Sequence, residues 1–186
     1  MNKQLILVDE NDGQIGEMEK MAVHERGALH RAFSVFVFNS KNQLLLQKRA
    51  LDKYHCGGLW TNTCCSHPVV GEENTLAACK RLYEEMGIIC KLEYKFSFKY
   101  YASFENGLIE HEIDHVFFGT TNELPILNPA EAADYKYLTL EQLKADIDEN
   151  PSFYTPWLKI CLGQVIEFQN CFKSKTGMQP KSHSRI

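Results

Sequence analysis

The sequence lacks three features that would each point to a different class of protein: a long hydrophobic run, an excess of basic residues and a regular pairing of cysteines. The longest early apolar run, residues 5–8, is too short for the core of a signal peptide, and no later run approaches a membrane-spanning length. A formal net charge of -4 argues against a general nucleic-acid or anionic-membrane surface, because either would favour a strong basic excess. We therefore expect a cytoplasmic protein with neither nucleic acid nor a membrane as its partner.

The seven cysteines are scattered and odd in number, which predicts free thiols rather than a disulfide framework. A chain of 186 residues, 44% hydrophobic and 24% charged, fits one ordinary soluble domain that needs no crosslinks. We find no internal repeat or linker. Residues 173–186 are polar and basic without an apolar period, so we predict a single domain over residues 1–172 and a disordered tail after it.

Apolar patterns along the chain predict a mixed α/β (α+β) protein. The first segment favours a hairpin with its turn at residues 11–13, and a brief helix over residues 20–26 is expected to end at Gly27. Thr139 and Pro156 are typical first residues of two later helices. Strands are predicted over residues 31–38, 43–49, 94–102, 110–119 and 135–138.

Residues 60–87 carry the densest chemistry in the chain, with a thiol pair, a histidine, an acidic turn and a charged helix. Pro68 biases His67 toward an extended backbone. Cys65 and His67 are two residues apart, so we expect them on one face of a strand end. The neighbouring Cys64 is expected to pack in the core.

The helix in this stretch is predicted to start at a cap, Asn74 or Thr75, and to end at Gly87. Arg81 and Glu85 are four residues apart and, for a helix taken alone, would form an ordinary surface ion pair. The apolar side of the helix is predicted to consist of Leu76, Leu82, Tyr83 and Met86.

Two glutamates and three histidines form a candidate metal site. Glu110 and Glu112 alternate on one face of a predicted strand, where two like charges are unfavourable unless a cation or solvent separates them. His24 and His30 can meet only through the bend at Gly27, and taken alone they are more often structural or surface histidines. Together with His67, the set suits a five- or six-coordinate divalent ion better than a closed tetrahedral zinc.

Basic residues gather at the end of the strand over residues 43–49. Lys48, Arg49 and Lys53 fall in or beside one loop. A solvated strand end is the usual fate of such a run, and a phosphate clamp is the functional alternative.

The segment GEENTLAACKRLYEEMGI, residues 71–88, resembles a degenerate Nudix box, and WTNTCCSHP with the later EHE and TPW segments resembles the type I isopentenyl-diphosphate isomerases. The resemblance covers residues 5–157 and beyond. It implies a Nudix-like fold, a mixed β-sheet flanked by helices, with an N-terminal β-hairpin extension.

The resemblance also implies a role for individual residues. The ligands of a protein-bound Mn²⁺, Mg²⁺ or Zn²⁺ would be His24, His30, His67, Glu110 and Glu112. Glu85 would help to hold a second ion, Mg²⁺, on the substrate diphosphate. The cations around that diphosphate would be Lys20, Arg49, Lys53 and Arg81. The catalytic residues would be Cys65, Glu112, Tyr100 and Trp157, and the adjacent Tyr101 leaves the choice of tyrosine open.

The box departs from that of a Nudix hydrolase at two places. Ser66 stands where the hydrolases have a glycine, and Lys80 and Arg81 stand where they have an Arg-Glu pair. Replacing a metal-gathering carboxylate by the cation of Arg81 favours holding a diphosphate intact over cutting it.

The activity implied by the resemblance is the interconversion of isopentenyl diphosphate and dimethylallyl diphosphate through a tertiary carbocation, in a monomer or weak homodimer. Two alternatives stay open at this point. One is a Nudix-type diphosphate hydrolase, and the other is a non-catalytic metal-binding domain.

Overall fold

The computed structural model describes residues 3–176, which fold into one curled mixed sheet with four helices. The strands are β1 (Gln4–Val8), β2 (Gln14–Glu19), β3 (His30–Phe38), β4 (Leu44–Arg49), β5 (Trp60–Thr61), β6 (Cys64–Ser66), β7 (Leu92–Ser103), β8 (Ile109–Thr120) and β9 (Ala132–Leu138). The helices are α1 (Lys20–Arg26), α2 (Asn74–Met86), α3 (Leu140–Glu149) and α4 (Pro156–Thr176). The predicted α+β fold class is confirmed.

The N-terminal hairpin and the short helix after it form as predicted. The hairpin turn contains Asp12 with a φ of 63°, and the carboxylate of Asp9 accepts hydrogen bonds from two backbone amides of the turn. Helix α1 begins where the Glu19 carboxylate accepts from two backbone amides, and it ends at Gly27 in the left-handed conformation, φ 62°. This left-handed residue turns the chain from α1 into β3.

Strand β3 is the centre of the sheet. It runs parallel to β8 and antiparallel to β1, β4 and β6, while β7 pairs with the far edge of β8. The register sets Glu112 of β8 opposite both His30 of β3 and Tyr100 of β7. Paired residues of neighbouring strands point to the same face, so these three side chains form one row across the sheet.

The two faces of the sheet are buried by different helices. One face carries Phe36 and Val116 against α3 and α4, and the other carries Val35 and Phe117 against α2. The row with Glu112 lies on the α4 face, because it keeps the even-numbered alternation of β3 and β8. The same face is therefore a hydrophobic core at one end and a polar site at the other.

Helix α2 differs from its prediction in two respects. Its cap is Glu73, whose carboxylate accepts from the amides of Thr75 and Leu76, so Asn74 is already the first helical residue. Leu76 and Tyr83 are 66% and 58% exposed, and their assignment to the apolar side was wrong. The side that meets the sheet is built instead from Ala77, Ala78, Leu82, Glu85 and Met86. The two alanines occupy the places where the helix approaches the sheet.

The C-terminal elements begin as predicted. Thr139 and Gln142 form a reciprocal capping box at the start of α3, and Pro156 is the first residue of α4. Helix α4 continues to Thr176 and so overlaps the first residues of the predicted tail; the remainder, 177–186, lies outside the described residues. In the described part of the chain, no helix is long and apolar enough to cross a membrane.

Six cysteines are free thiols, as predicted: Cys56, Cys64, Cys65, Cys79, Cys90 and Cys161. Cys64 is fully buried between the sheet and α2, so its predicted packing role is also confirmed.

Candidate metal and active site

A single pocket, lined from both α2 and α4, brings together most of the residues singled out in the sequence. Those that line it are Lys20, Arg49, Lys53, Cys65, His67, Arg81, Glu85, Tyr100, Glu110, Glu112 and Trp157. His24 and His30 are fully buried and contact the lining glutamates. Lys48 does not line this pocket; its ammonium lies 5.8 Å from the centre of the Trp60 ring.

Three histidines and Glu110 form a tight cluster of metal-binding atoms. One ligand atom from each of His24, His30, His67 and Glu110 lies within 4.8 Å of all the others. Glu112 adjoins this cluster, with its Oε1 at 2.7 Å from Nε2 of His67 and 3.5 Å from Nε2 of His30. The bend at Gly27 brings His24 and His30 together, with ring centroids 5.2 Å apart.

Backbone contacts set which nitrogen each of two histidines offers. Nδ1 of His24 lies 2.6 Å from the carbonyl oxygen of Lys20, and Nδ1 of His30 lies 2.9 Å from that of Ala28. A carbonyl oxygen only accepts, so Nδ1 carries the proton and Nε2 keeps a lone pair. Both Nε2 atoms and Oε2 of Glu110 are buried without a hydrogen-bond partner. Such a set of unpartnered nitrogen and oxygen atoms fits a divalent cation.

The electrostatics of the cluster favour charged glutamates beside a neutral imidazole. Burial acts to raise the pKa of Glu110, but the adjacent imidazoles of His24 and His55 outweigh it and hold that pKa well below its usual value. Burial and the charge of Glu110 act to raise the pKa of Glu112, but the adjacent imidazoles of His30 and His67 outweigh them and lower it. Burial lowers the pKa of His67 to about 4. A neutral imidazole is the form that binds metals.

Tyr100 and Tyr101 lie on opposite faces of β7. Tyr100 is 6% exposed, lines the pocket and is paired in register with Glu112. Burial first, and then the charge of Glu112, raise the pKa of its hydroxyl well above the ordinary value, so it keeps its proton. Tyr101 is 59% exposed and packs edge-on against His111 outside the pocket. Of these two tyrosines, Tyr100 is therefore the one that lines the pocket.

The thiol of Cys65 reaches the pocket from β6, on the other side of β3 from Glu112. Burial raises its pKa to about 12, against the opposing effect of Arg49. A guanidinium nitrogen of Arg49 lies 3.9 Å from the sulfur, and the Arg49 guanidinium also lies 5.3 Å from the centre of the Trp157 ring. The Trp157 indole nitrogen donates to the Thr61 hydroxyl at 2.9 Å, which fixes the plane of the indole.

The cations at the other end of the pocket are paired with carboxylates. Arg81 donates to Glu85 at 2.6 Å and to Glu131 at 3.0 Å, and Lys53 forms an ion pair with Glu131. The Gln47 amide donates to Glu85 at 3.2 Å. Glu85 is 3% exposed, so its contact with Arg81 is a buried pair rather than the surface pair that helix spacing alone favours.

Sequence reasoning missed several residues of this pocket. Three of them are His55 in the loop after β4, Glu131 just before β9, and Asp114, whose carboxylate accepts from the Ser34 hydroxyl at 2.7 Å. Asp114 continues the alternation of Glu110 and Glu112, and this signal was sufficient to find it. Nothing local marks His55 or Glu131, because their roles depend on contacts with distant elements.

Comparisons with known proteins agree with the fold. The NUDIX domain family matches residues 28–158, most of the chain. An isopentenyl-diphosphate Delta-isomerase 2 of Aromatoleum aromaticum is 55% identical over 89% of this chain and 88% of its own length. An isopentenyl-diphosphate Delta-isomerase of Pectobacterium atrosepticum is 47% identical over 92% and 96%.

The chain belongs to the Nudix family and, within it, to the isopentenyl-diphosphate Delta-isomerases.

Two solved structures share its fold at lower sequence identity. A protein of Deinococcus radiodurans superposes with a TM-score of 0.67 at 23% identity, covering 80% of this chain and 90% of that one. A MutT protein from Methanosarcina mazei superposes with a TM-score of 0.61 at 16% identity, covering 76% and 95%. These two likenesses establish the fold alone.

Proposed function

We propose that this isomerase-family chain interconverts isopentenyl diphosphate and dimethylallyl diphosphate, using Cys65 on one side of the pocket and Glu112 with Tyr100 on the other. The observation that carries the proposal is the arrangement of these groups around β3. β6 delivers Cys65 from one side of β3, while β8 and β7 deliver Glu112 and Tyr100 from the other. All three line the pocket that also holds the cations suited to a diphosphate.

The reaction moves a double bond by two proton transfers. One group gives a proton to the terminal alkene carbon, which leaves a tertiary cation at the branched carbon. A second group removes a proton from the neighbouring methylene, and the freed electron pair forms the new double bond. Between turnovers the first group regains a proton from solvent and the second group releases one to solvent. Cys65 and the Glu112–Tyr100 pair supply groups of this kind from two sides of one pocket.

The diphosphate would be held by cations at the rim. Lys20, Arg49, Lys53 and Arg81 all line the pocket, and Glu85 would bind a Mg²⁺ ion that arrives with the substrate. In the structure the Glu131 carboxylate forms ion pairs with both Lys53 and Arg81. We infer that the substrate diphosphate takes over these two cations from Glu131.

The aromatic wall would protect the cationic intermediate. Trp157 is 3% exposed, and its indole is held in place by Thr61. An aromatic face stabilises a desolvated cation by about 2 kcal/mol without forming a bond to it. Burial of the pocket groups also excludes the water that would trap the cation.

The metal cluster fits Mn²⁺, Mg²⁺ or Zn²⁺, since imidazole nitrogens and carboxylate oxygens suit each of them. His24, His30, His67, Glu110 and Glu112 would hold the ion. When bound, it supplies positive charge that lowers the proton affinity of the glutamates. The protein's own part is to hold the Glu112 carboxylate between His67 and Tyr100, where it exchanges a proton with the substrate.

We also propose a cytoplasmic location and a monomer or weak homodimer. The free thiols suit a reducing compartment.

The test is incubation of the purified protein with isopentenyl diphosphate and Mg²⁺, followed by separate measurement of dimethylallyl diphosphate and of released phosphate or diphosphate. If the protein is an isomerase, dimethylallyl diphosphate should form and neither phosphate nor diphosphate should be released. Release of phosphate or diphosphate instead would establish a Nudix-type hydrolase. If neither appears and Cys65→Ala changes only stability, a non-catalytic metal-binding domain is the better description.

A further inference from the structure

His55 is a buried histidine beside the metal cluster, to which the sequence assigned no role. It lies in the loop between β4 and β5 and is 6% exposed. Its Nε2 lies 2.5 Å from Oε1 of Glu110, although the contact is not aligned as a linear hydrogen bond. Neither ring nitrogen has another hydrogen-bond partner among the described residues, so Glu110 is the polar group that this ring faces.

The two oxygens of Glu110 face different partners. Oε1 is the atom next to His55, whereas Oε2 lies 3.2 Å from Nε2 of His24 and 3.7 Å from Nε2 of His30. A carboxylate that is held through one oxygen presents the other in a fixed direction. For metal ligands, such supporting contacts set the orientation of the ligand and strengthen metal binding.

The ring of His55 is itself held in place by its neighbours. It stacks on Phe104 with ring centroids 4.7 Å apart and an interplanar angle of 4°. The edges of Tyr54 and Trp157 close around it, at centroid distances of 4.4 and 5.8 Å. The His55 carbonyl also accepts from the Arg49 guanidinium at 3.3 Å. The imidazole therefore has little freedom to turn away from Glu110.

We propose that His55 is a positioning residue for the metal site: it donates from Nε2 to Oε1 of Glu110, so that Oε2 points toward His24 and His30. The same loop carries Arg49 at its start and Lys53 within it, and both line the pocket. His55 thus joins the loop of the diphosphate cations to a ligand of the metal. The inference rests on the proposed metal site, but its test needs no catalytic turnover.

The experiment compares Mn²⁺ affinity in chelator-stripped protein, by titration of Mn²⁺ alone, for the unaltered chain and three variants. His55→Phe keeps the stacking on Phe104 and removes the donor. His55→Gln keeps a donor of similar reach, and His55→Asn shortens it. We expect His55→Phe and His55→Asn to weaken Mn²⁺ binding by about 10- to 100-fold. The Mn²⁺ affinity of His55→Gln should stay within about threefold of the unaltered chain.

The matched control is His115→Phe, because His115 also contacts a carboxylate, Asp12 Oδ2 at 2.8 Å, but lies outside the metal cluster. Its Mn²⁺ affinity should not change. A thermal melt of each metal-free variant checks folding. If His55→Phe does not fold, the comparison is made between His55→Gln and His55→Asn.

A second measurement separates positioning from direct ligation. In a Glu110→Gln background, His55→Phe should weaken Mn²⁺ binding no further, because His55 acts through Glu110. Unchanged Mn²⁺ affinity in both His55→Phe and His55→Asn would overturn the proposal. So would a His55→Gln variant that binds Mn²⁺ as weakly as His55→Phe. A third contrary result would be that His55→Phe lowers the Mn²⁺ affinity of Glu110→Gln as much as it lowers that of the unaltered chain. An inactive wild-type protein that still showed the expected Mn²⁺ series would refute the isomerase proposal and leave this one standing.

Discussion

The two ends of the pocket are both rich in charge, but they differ in whether those charges are already paired. At the metal end, Nε2 of His24, Nε2 of His30 and Oε2 of Glu110 are buried without hydrogen-bond partners. At the diphosphate end, Arg81 and Lys53 are neutralised by Glu85 and Glu131. A cation entering the first end finds these three atoms unpartnered, although it must part the contact between His67 and Glu112. An anion entering the second end must displace a carboxylate.

This difference indicates how each end is stabilised before substrate arrives. The metal end is prearranged, since its histidines are fixed by backbone carbonyls and its glutamates by histidines. The diphosphate end is held together by its own ion pairs, and part of the substrate's binding energy is spent in replacing them. Changes at the metal end should therefore act on catalysis and metal content, and changes at the diphosphate end on substrate affinity.

The largest effect is expected when the metal end loses the carboxylate that we propose to be catalytic. Glu112→Gln keeps the shape of the side chain but removes its capacity to take a proton. We expect turnover to fall by about 10²- to 10⁴-fold, the range for loss of a general acid or base, while the melting curve shows that the protein stays folded. A variant with near-normal turnover would remove Glu112 from the proton transfers.

The next effect is loss of metal when a histidine of the cluster is truncated. His67→Ala removes a nitrogen that lies within 4.8 Å of the other ligand atoms. We expect metal content, measured by elemental analysis after dialysis, to fall by at least about tenfold. His111→Ala is the control, because His111 contacts the Gly27 carbonyl outside the cluster. Equal metal content in both variants would contradict the ligand assignment.

At the diphosphate end, the expected change is smaller and of opposite sign. Glu131→Gln removes the negative charge that Lys53 and Arg81 share. We expect inorganic diphosphate with Mg²⁺ to bind about three- to tenfold more tightly, because there is less competition for the two cations. Calorimetry of the unaltered chain, Glu131→Gln and the exposed control Glu123→Gln would measure this. Weaker binding in Glu131→Gln would show that Glu131 helps to hold the ligand.

The smallest effect concerns the pH dependence of stability at the same end. Burial acts to raise the pKa of Glu131, but Lys53 and Arg81 outweigh it and lower that pKa. A lowered folded-state pKa stabilises the protein above the ordinary value of a glutamate, and this stability is lost as pH falls through the folded pKa. Denaturation curves should therefore show Glu131→Gln less stable than the unaltered chain near neutral pH, with the difference shrinking in acid. A constant difference would argue against the ion pairs.

Local sequence signals predicted part of the geometry of the metal end. The left-handed Gly27 and the strand alternation of Glu110 and Glu112 are properties of a few consecutive residues, and both were predicted correctly. His24 and His30 came together because a single glycine sets the bend between them.

The diphosphate end and the supporting residues depend on long-range pairing that no short segment encodes. Glu131 reaches Arg81 only because β9 pairs with β4, and His55 reaches Glu110 only because its loop folds over the start of β8. The cap of α2 was misjudged by one residue or two, because the Glu73 carboxylate itself accepts from the amides of Thr75 and Leu76.

One pocket is proposed to supply both a proton donor and a proton acceptor to the substrate, whose diphosphate stays intact. Incubation of the unaltered chain with isopentenyl diphosphate and Mg²⁺ in D₂O tests this directly. We expect dimethylallyl diphosphate with deuterium in the methyl group formed from the terminal alkene carbon, and no released phosphate. Product without deuterium, or no product from a folded and metal-loaded protein, would contradict it.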